Sequence, residues 1–379
     1  INDTGLKGMR LAEVAESLGL GATAITYYFR KRDDLAVACF DAALQAYHGF
    51  LDVADEHSGA RDRVRAVIHA ALVFCAEVRR GEAKPIVGFS DVRGLGEPHR
   101  SGVLASYRGL FYRVRGLVDT PDMAHLDAEA KTIRAQILLE LIYWLVSIQE
   151  QYEVHQFDRL EERFFDIIAN GLAVDGSDWQ PNKLETIQVH GHDDPVLLAF
   201  YQSAIEIIND TGYRDASVER ISASLNLTKG AFYHHMAAKG ELVRSCFEYS
   251  LGVMLEIQRQ SQHMEASHWD RLVTACAGVV RYQISESGPL LRTSALVALP
   301  NEDRDDINAL VQRVNRGFAA MLSDAIAEGT ARPVDPYIAS YMLHGMLNAA
   351  ADLPTWRTQG SWQSSPPRYA RPFILGMLR

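Results

Sequence analysis

The pentapeptide INDTG stands at residues 1–5 and again at 208–212. Laying Ile1 on Ile208 carries the alignment forward without a gap. Ser17-Leu18 meets Ser224-Leu225, Leu20 meets Leu227, Ala24 meets Ala231 and Leu35 meets Leu242. Cys39-Phe40 then falls on Cys246-Phe247, and Leu44 on Leu251. A gapless match of this length marks an internal duplication, and a repeat governs how the rest of a chain is read. Whatever one half folds into, the other must fold into as well.

Beyond this block the likeness fades but its landmarks persist. Lys84-Pro85-Ile86 has a counterpart in Gly288-Pro289-Leu290. A long apolar segment follows in each half, at 136–148 and 337–350, and each half closes on a short one, at 164–172 and 373–378. Between the halves, residues 174–195 mix Gly, Pro, Asp and Asn and read as a linker. Apolar residues recur at helical spacing, as in Val64, Val67, Ile68, Ala71 and Leu72, and in Ile307, Leu310, Val311 and Val314. No sustained alternation calls for a sheet. The expected fold is all-α in two similar halves, and 379 residues exceed what one core usually organises.

Within the duplicated block, residues 218–225 form a short amphipathic segment, with Val218, Ile221 and Leu225 on one face. Ser217 precedes it, where a hydroxyl can accept from a first-turn N–H. Asn226 tolerates the left-handed conformation that ends a helix, and Thr228 can cap a second short helix over 229–235. Two short helices so joined make a helix-turn-helix, whose second helix enters the major groove of DNA. In the first copy Leu11, Val14 and Leu18 supply the packing face, and Gly19 takes the place of Asn226.

The stretch LTKGAFYHHMAAKGEL at 227–242 resembles the recognition-helix signature of TetR/AcrR-family transcriptional regulators, and LGATAITYYFRKRDDL at 20–35 resembles a variant of it. The resemblance implies two TetR-like units, each a DNA-binding head followed by a helical ligand-binding and dimerisation body. The expected division is a first head over 1–47, a first body over 48–173, a linker over 174–194, a second head over 195–253 and a second body over 254–379. In the second head the resemblance places Ser217, Thr228, Lys229, Tyr233, His234, His235 and Lys239 near DNA. Thr228, Lys229 and Lys239 would hold phosphates, while Gly230 and Ala231 would let the helix approach base edges. The first head departs from the pattern: Arg10 and Gly21 stand in the two capping positions and Ala22 in place of the lysine. Thr23, Thr26, Tyr27, Tyr28, Lys31 and Arg32 remain as its candidates. The helix that opens the second head, near Pro195, has most of its first-head counterpart missing.

Family subunits pair through their last two long helices. Here that pairing would join the ends of the two bodies, giving an intramolecular pseudo-dimer whose unlike heads read an asymmetric operator. The expected partners are double-stranded DNA and a small, lipophilic effector, with Tyr107, Phe111 and Trp144 in the first body and Tyr282, Phe318 and Tyr341 in the second as candidate pocket residues. The net charge of −10 speaks against indiscriminate binding to nucleic acid or acidic membrane, yet charges within 1–35 and within 208–242 cancel. The heads are therefore neutral and the remainder of the chain carries the excess.

Several classes drop out. No uncharged apolar run reaches the roughly 18 residues of a membrane span, and Glu140 interrupts the nearest approach. The four cysteines, Cys39, Cys75, Cys246 and Cys276, are too scattered for a disulfide framework or a zinc site and suit free thiols in the cytoplasm. The run from His190 to Asp194 (HGHDD) has metal-ligand residue types but no evident further ligand, and reads as a solvated loop. No metal site, cofactor or catalytic residue is expected, since GxSxG, P-loop, HExxH and Rossmann patterns are all lacking. The resemblance implies a transcriptional repressor released by its effector; against it stands a helical ligand- or partner-binding module with one or both heads inactive, and an enzyme is the remotest reading.

Overall fold

The computed structural model describes residues 1–2, 5–189, 191–192, 194–236, 238–352 and 366–379. Among them there is no strand, only one isolated antiparallel bridge between Ala173 and Ala331. The first half runs α1 (Gly5–Gly8), α2 (Leu11–Ser17), α3 (Ala22–Tyr28), α4 (Arg32–Asp52), α5 (Ala60–Arg80), α6 (His99–Gly116), α7 (Ala128–Ile148) and α8 (Phe157–Asn170). The second runs α9 (Pro195–Asp215), α10 (Val218–Ser224), α11 (Lys229–His235), α12 (Lys239–Gln262), α13 (His268–Gln283), α14 (Asn301–Glu328), α15 (Pro336–Ala349) and α16 (Pro366–Leu375). The order of helices matches from α2 and α10 onward, and a 3-10 segment recurs before the sixth helix of each half, at Phe89–Gly94 and Thr293–Ala298. The halves differ most at their start, where the four-residue α1 stands opposite α9.

Local chemistry sets several boundaries. Asp194 accepts from the backbone of Val196 and Leu197 to open α9, with Pro195 in the first turn. Asp335 does the same for α15 through Tyr337 and Ile338. Gly212, at φ 82° and ψ 163°, breaks the backbone near the end of α9. Only glycine visits that region at low cost.

One core cluster runs through both bodies and the second head, from Leu44 to Leu378. The first head has its own small cluster: Leu6, Met9, Ala36, Phe40, Val92, Leu95 and Val103. The two halves meet along a seam of α7 and α8 against α15 and α16. Across it Gln136 Nε2 donates to the Ala349 carbonyl at 2.7 Å, and Arg134 Nε to that of Met377 at 2.8 Å. The ends of the two halves interlace there too, Leu172 N–H bonding Ile374 O and Met377 N–H bonding Ile168 O. A Cβ on Gly171, which sits at φ 71°, would collide with the Gly376 backbone.

The stretch expected as a linker is irregular, as its composition implies, but its first part is not a free tether. Trp179 is buried, the Trp269 indole donates to Asp178 O at 2.9 Å, and Asn182 N–H donates to Thr274 Oγ1 at 3.0 Å. Leu184 and Val189 lie where Gly278 and Gly252 leave room for them. The solvated-loop expectation also needs correction at His192, whose ring sits edge-on to Tyr201 and Tyr249. His190 and Asp193 lie outside the described residues.

Candidate nucleic-acid interface

In the second head the two short helices are built as their sequence implies. Ser217 Oγ accepts from Arg220 N–H at 3.1 Å and so starts α10. Asn226 takes φ 55°, the only non-glycine residue described in the left-handed region, and turns the chain into α11. Val218, Ile221, Phe232 and Met236 are buried beneath this pair, and the Phe232 ring packs edge-on against Phe200 of α9.

The opposite face of α11 is open. Thr228, Lys229, Gly230 and His234 are exposed, and Tyr233 is 49% exposed. Lys229 reaches back to Glu219 on α10 and lies 5.8 Å from the Tyr233 ring centre. That pair holds the ammonium at the helix start, with its pKa raised by the Glu219 carboxylate. A Cβ added to Gly230 would have Thr228 Oγ1 at 3.7 Å as its nearest neighbour, so the backbone itself is presented to whatever approaches. Lys239 differs from its expected companions. Its ammonium stands 3.9 Å over the Tyr213 ring and donates to the Tyr213 carbonyl, which ties the start of α12 to the end of α9. The side chains of Ala231 and His235 lie outside the described set.

The first head presents another surface. Neither Arg10 nor Gly21 supplies a side-chain cap to the helix after it. Thr23 is exposed, and Thr26 spends its hydroxyl on the Thr23 carbonyl at 2.9 Å. Tyr27 and Tyr28 are 83% and 76% exposed, ring edge to ring face. Lys31 is exposed, whereas Arg32 is paired with Asp33 at 3.0 Å. The expected packing face fails at Leu18, which is 65% exposed. Its counterpart Leu225 is half-buried against a core to which α9 contributes.

The six candidate pocket residues do not converge. Tyr107 packs on Phe89, Phe111 and Phe318 are core, and Tyr282 shares a hydroxyl contact of 2.7 Å with Tyr249. Trp144 and Tyr341 lie at the seam, Trp144 against His344 and Tyr341 bonded to Gln312 and Gln151. None of the six lines the cavity of about 430 Å³ that opens between α7 and α16.

The repeat also marks contacts that its sequence did not announce. Asn209 Nδ2 donates to Leu290 O at 2.8 Å while its Oδ1 accepts from Arg292 N–H at 3.2 Å. Asn2 repeats the arrangement, donating to Ile86 O at 2.9 Å and accepting from Gly88 N–H at 3.3 Å. The asparagine of each INDTG thus clamps its head to the loop that follows the body's first helix. Beside Asn209 a polar junction joins the halves. Arg93 donates to the Asn209 carbonyl, and both Arg93 and Arg292 pair with Asp352. Near it, burial pushes the Glu140 carboxyl up to about 7 against the pull of its bond from Trp144 Nε1. The signal for the clamp was present as the doubled pentapeptide; the arginines carried none.

Residues 201–246 match the profile of bacterial regulatory proteins of the tetR family, and residues 265–364 match that of the tetracyclin repressor-like C-terminal domain. The second half of the chain is a TetR-family regulator unit. It joins a DNA-binding helix-turn-helix head to a ligand-binding domain. The transposon Tn10 TetC protein of Escherichia coli is 22% identical over 161 residues, covering 41% of this chain and 79% of that protein. Among solved structures, the TetR-family regulator PfmR from Thermus thermophilus is 21% identical, covers 49% of this chain and 100% of its own, and has a TM-score of 0.40. AibR, solved with isovaleryl coenzyme A and operator DNA, is 22% identical, with 47% and 95% covered and a TM-score of 0.38. Among the described residues no helix is long and apolar enough to cross a membrane.

Proposed function

We propose that the chain is a tandem pair of TetR-like units, divided at the boundaries given above, that dimerises with itself. It presents two unlike heads to an asymmetric operator as a transcriptional repressor, and a small lipophilic effector releases it. The observation that carries this reading is the seam, where α7 and α8 of one half meet α15 and α16 of the other inside one chain. Helix-turn-helix proteins read half-sites about one DNA turn apart, roughly 34–36 Å, and two joined units supply both readers at once. Tethering also makes the pairing intramolecular, so dilution does not separate the heads.

In this reading Thr228, Lys229 and Gly230 approach phosphates and base edges, with Tyr233 and His234 beside them. The first head contributes Thr23, Tyr27, Tyr28 and Lys31. Its uncapped helices favour a second reading, in which only the second head grips DNA and the first has become scaffold.

Selection of binding sites from a random DNA library by the full chain tests both. Two unlike half-sites one turn apart are expected. A perfect palindrome bound by two chains would overturn the pseudo-dimer, and a single half-site would support the scaffold reading.

A further inference from the structure

The cavity between α7 and α16 combines two properties. Its floor and rim include apolar groups, among them Ile133, Pro372 and Leu375. Around them stand Arg134, Arg368, Arg371 and Arg379, against only Asp127 and Glu129 in the lining. This is an excess of positive charge in a chain whose net charge is −10.

The carboxylates nearby do not neutralise it. Glu129 is taken by Arg368 at 3.3 Å, and Arg379 reaches outward to Asp175 at 3.5 Å. Asp127 turns one oxygen to Ala130 N–H at 2.7 Å and opens α7. That leaves Arg134 and Arg371. Arg134 is only 8% exposed and gives its Nε to Met377 O and one Nη to Ala130 O, both neutral carbonyls. Among the described residues no carboxylate makes an ion pair with it or with Arg371 on the rim; Asp127 and Asp178 act on them only from farther off. Burial, and then the like charge of Arg371, push the Arg134 pKa down to about 10, with the Asp127 carboxylate opposing them only in part. A buried cation without a counter-ion is costly, and proteins normally pair one.

We infer that this groove is a binding site for an organic anion with a short apolar tail, its carboxylate or phosphate head held between Arg134 and Arg371. The volume falls in the range of small-molecule sites. A planar guanidinium suits either head, because it donates two parallel hydrogen bonds to neighbouring oxygens. The ligand would stand between α7 of the first half and α16 of the second and so strengthen the seam. None of this rests on the DNA reading, and its test uses no DNA.

The full chain is heated with octanoate, octyl phosphate or octanol, and the binding of each is measured by calorimetry. At least one of the two anions is expected to raise the Tm and to bind once per chain, while octanol does neither. Which anion binds more tightly identifies the head group. Arg371→Gln, an exposed position that also relieves the repulsion on Arg134, should fold with a ligand-free Tm no lower than that of the unaltered chain and lose about tenfold in affinity. Arg134→Gln should lose more, and where it fails to fold, Arg371→Gln together with Arg368→Gln replaces it. The inference is overturned if neither anion binds, if octanol binds as well as they do, or if Arg371→Gln binds the anions unchanged.

Discussion

A single asparagine carries much of the connection between each head and its body. Asn209 uses both ends of its amide on one loop, and it is 7% exposed. Alanine there leaves the Leu290 carbonyl and the Arg292 N–H without partners in a buried site. The expected loss is about 1–3 kcal/mol in urea unfolding. Asn2 makes the same two bonds in an exposed setting, so Asn2→Ala should cost less than about 1 kcal/mol, because water replaces the amide. Equal losses would refute the argument from burial. His344 supplies a pH-dependent term at the seam. It is buried against Trp144 with Asn315 on its Nδ1, and burial pushes its pKa down to about 4. An unfolded histidine titrates near 6.5. Below that pH the unfolded chain takes up a proton that the folded chain refuses. Stability is therefore intact above about pH 6.5 and falls progressively as the pH drops toward 4. His344→Gln should flatten that limb of the Tm–pH curve, by up to about 3 kcal/mol at about pH 4.

At the scale of elements, the second head shows how much a short sequence can settle. Ser217, Asn226 and the apolar triad of α10 act through neighbours in the chain, and each does in the structure what its chemistry implies. The first head shows where such reasoning stops. Leu11, Val14 and Leu18 have the right spacing for a packing face, but a face is buried only if something covers it. In the second head α9 packs on both helices, on α10 with Ser203 Oγ bonded to Ser224 Oγ and on α11 through Phe200 on Phe232. Phe200→Ala should destabilise that head by about 3–5 kcal/mol, read by hydrogen exchange in α10 and α11. Exchange unchanged in those helices would show that α9 is not what holds them. The linker teaches the same lesson from the other side. Its composition marks it as irregular, yet Trp179 is buried, and Leu184 and Val189 find room because Gly278 and Gly252 lie opposite.

For the whole molecule, the seam is the feature on which both the proposed pairing and the anion groove depend. Gly171 sits at its tightest point, with φ 71° and the Gly376 backbone against it. Gly171→Ala meets a backbone penalty of about 1–3 kcal/mol, and the collision adds to it. The expected result is a lower Tm, together with easier proteolysis between the halves. A variant with the wild-type Tm would show that the ends of the two halves need not interlace.

The sequence by itself determined the helical class and, in the second head, the helix-turn-helix with its Ser217 cap and Asn226 turn. These depend on residues a few positions apart, whose chemistry acts locally. The TetR resemblance belongs with them, because the recognition helix is one continuous stretch. Tertiary structure alone decided which apolar faces are covered and where the halves touch. It also decided that Asn2 and Asn209 are clamps, and that Arg134 and Arg371 share a groove in which neither makes an ion pair with a described carboxylate. Arg134 and Arg371 come from opposite halves of the chain. Their repulsion exists only once α7 and α16 are packed side by side, so no local pattern of residues could record it.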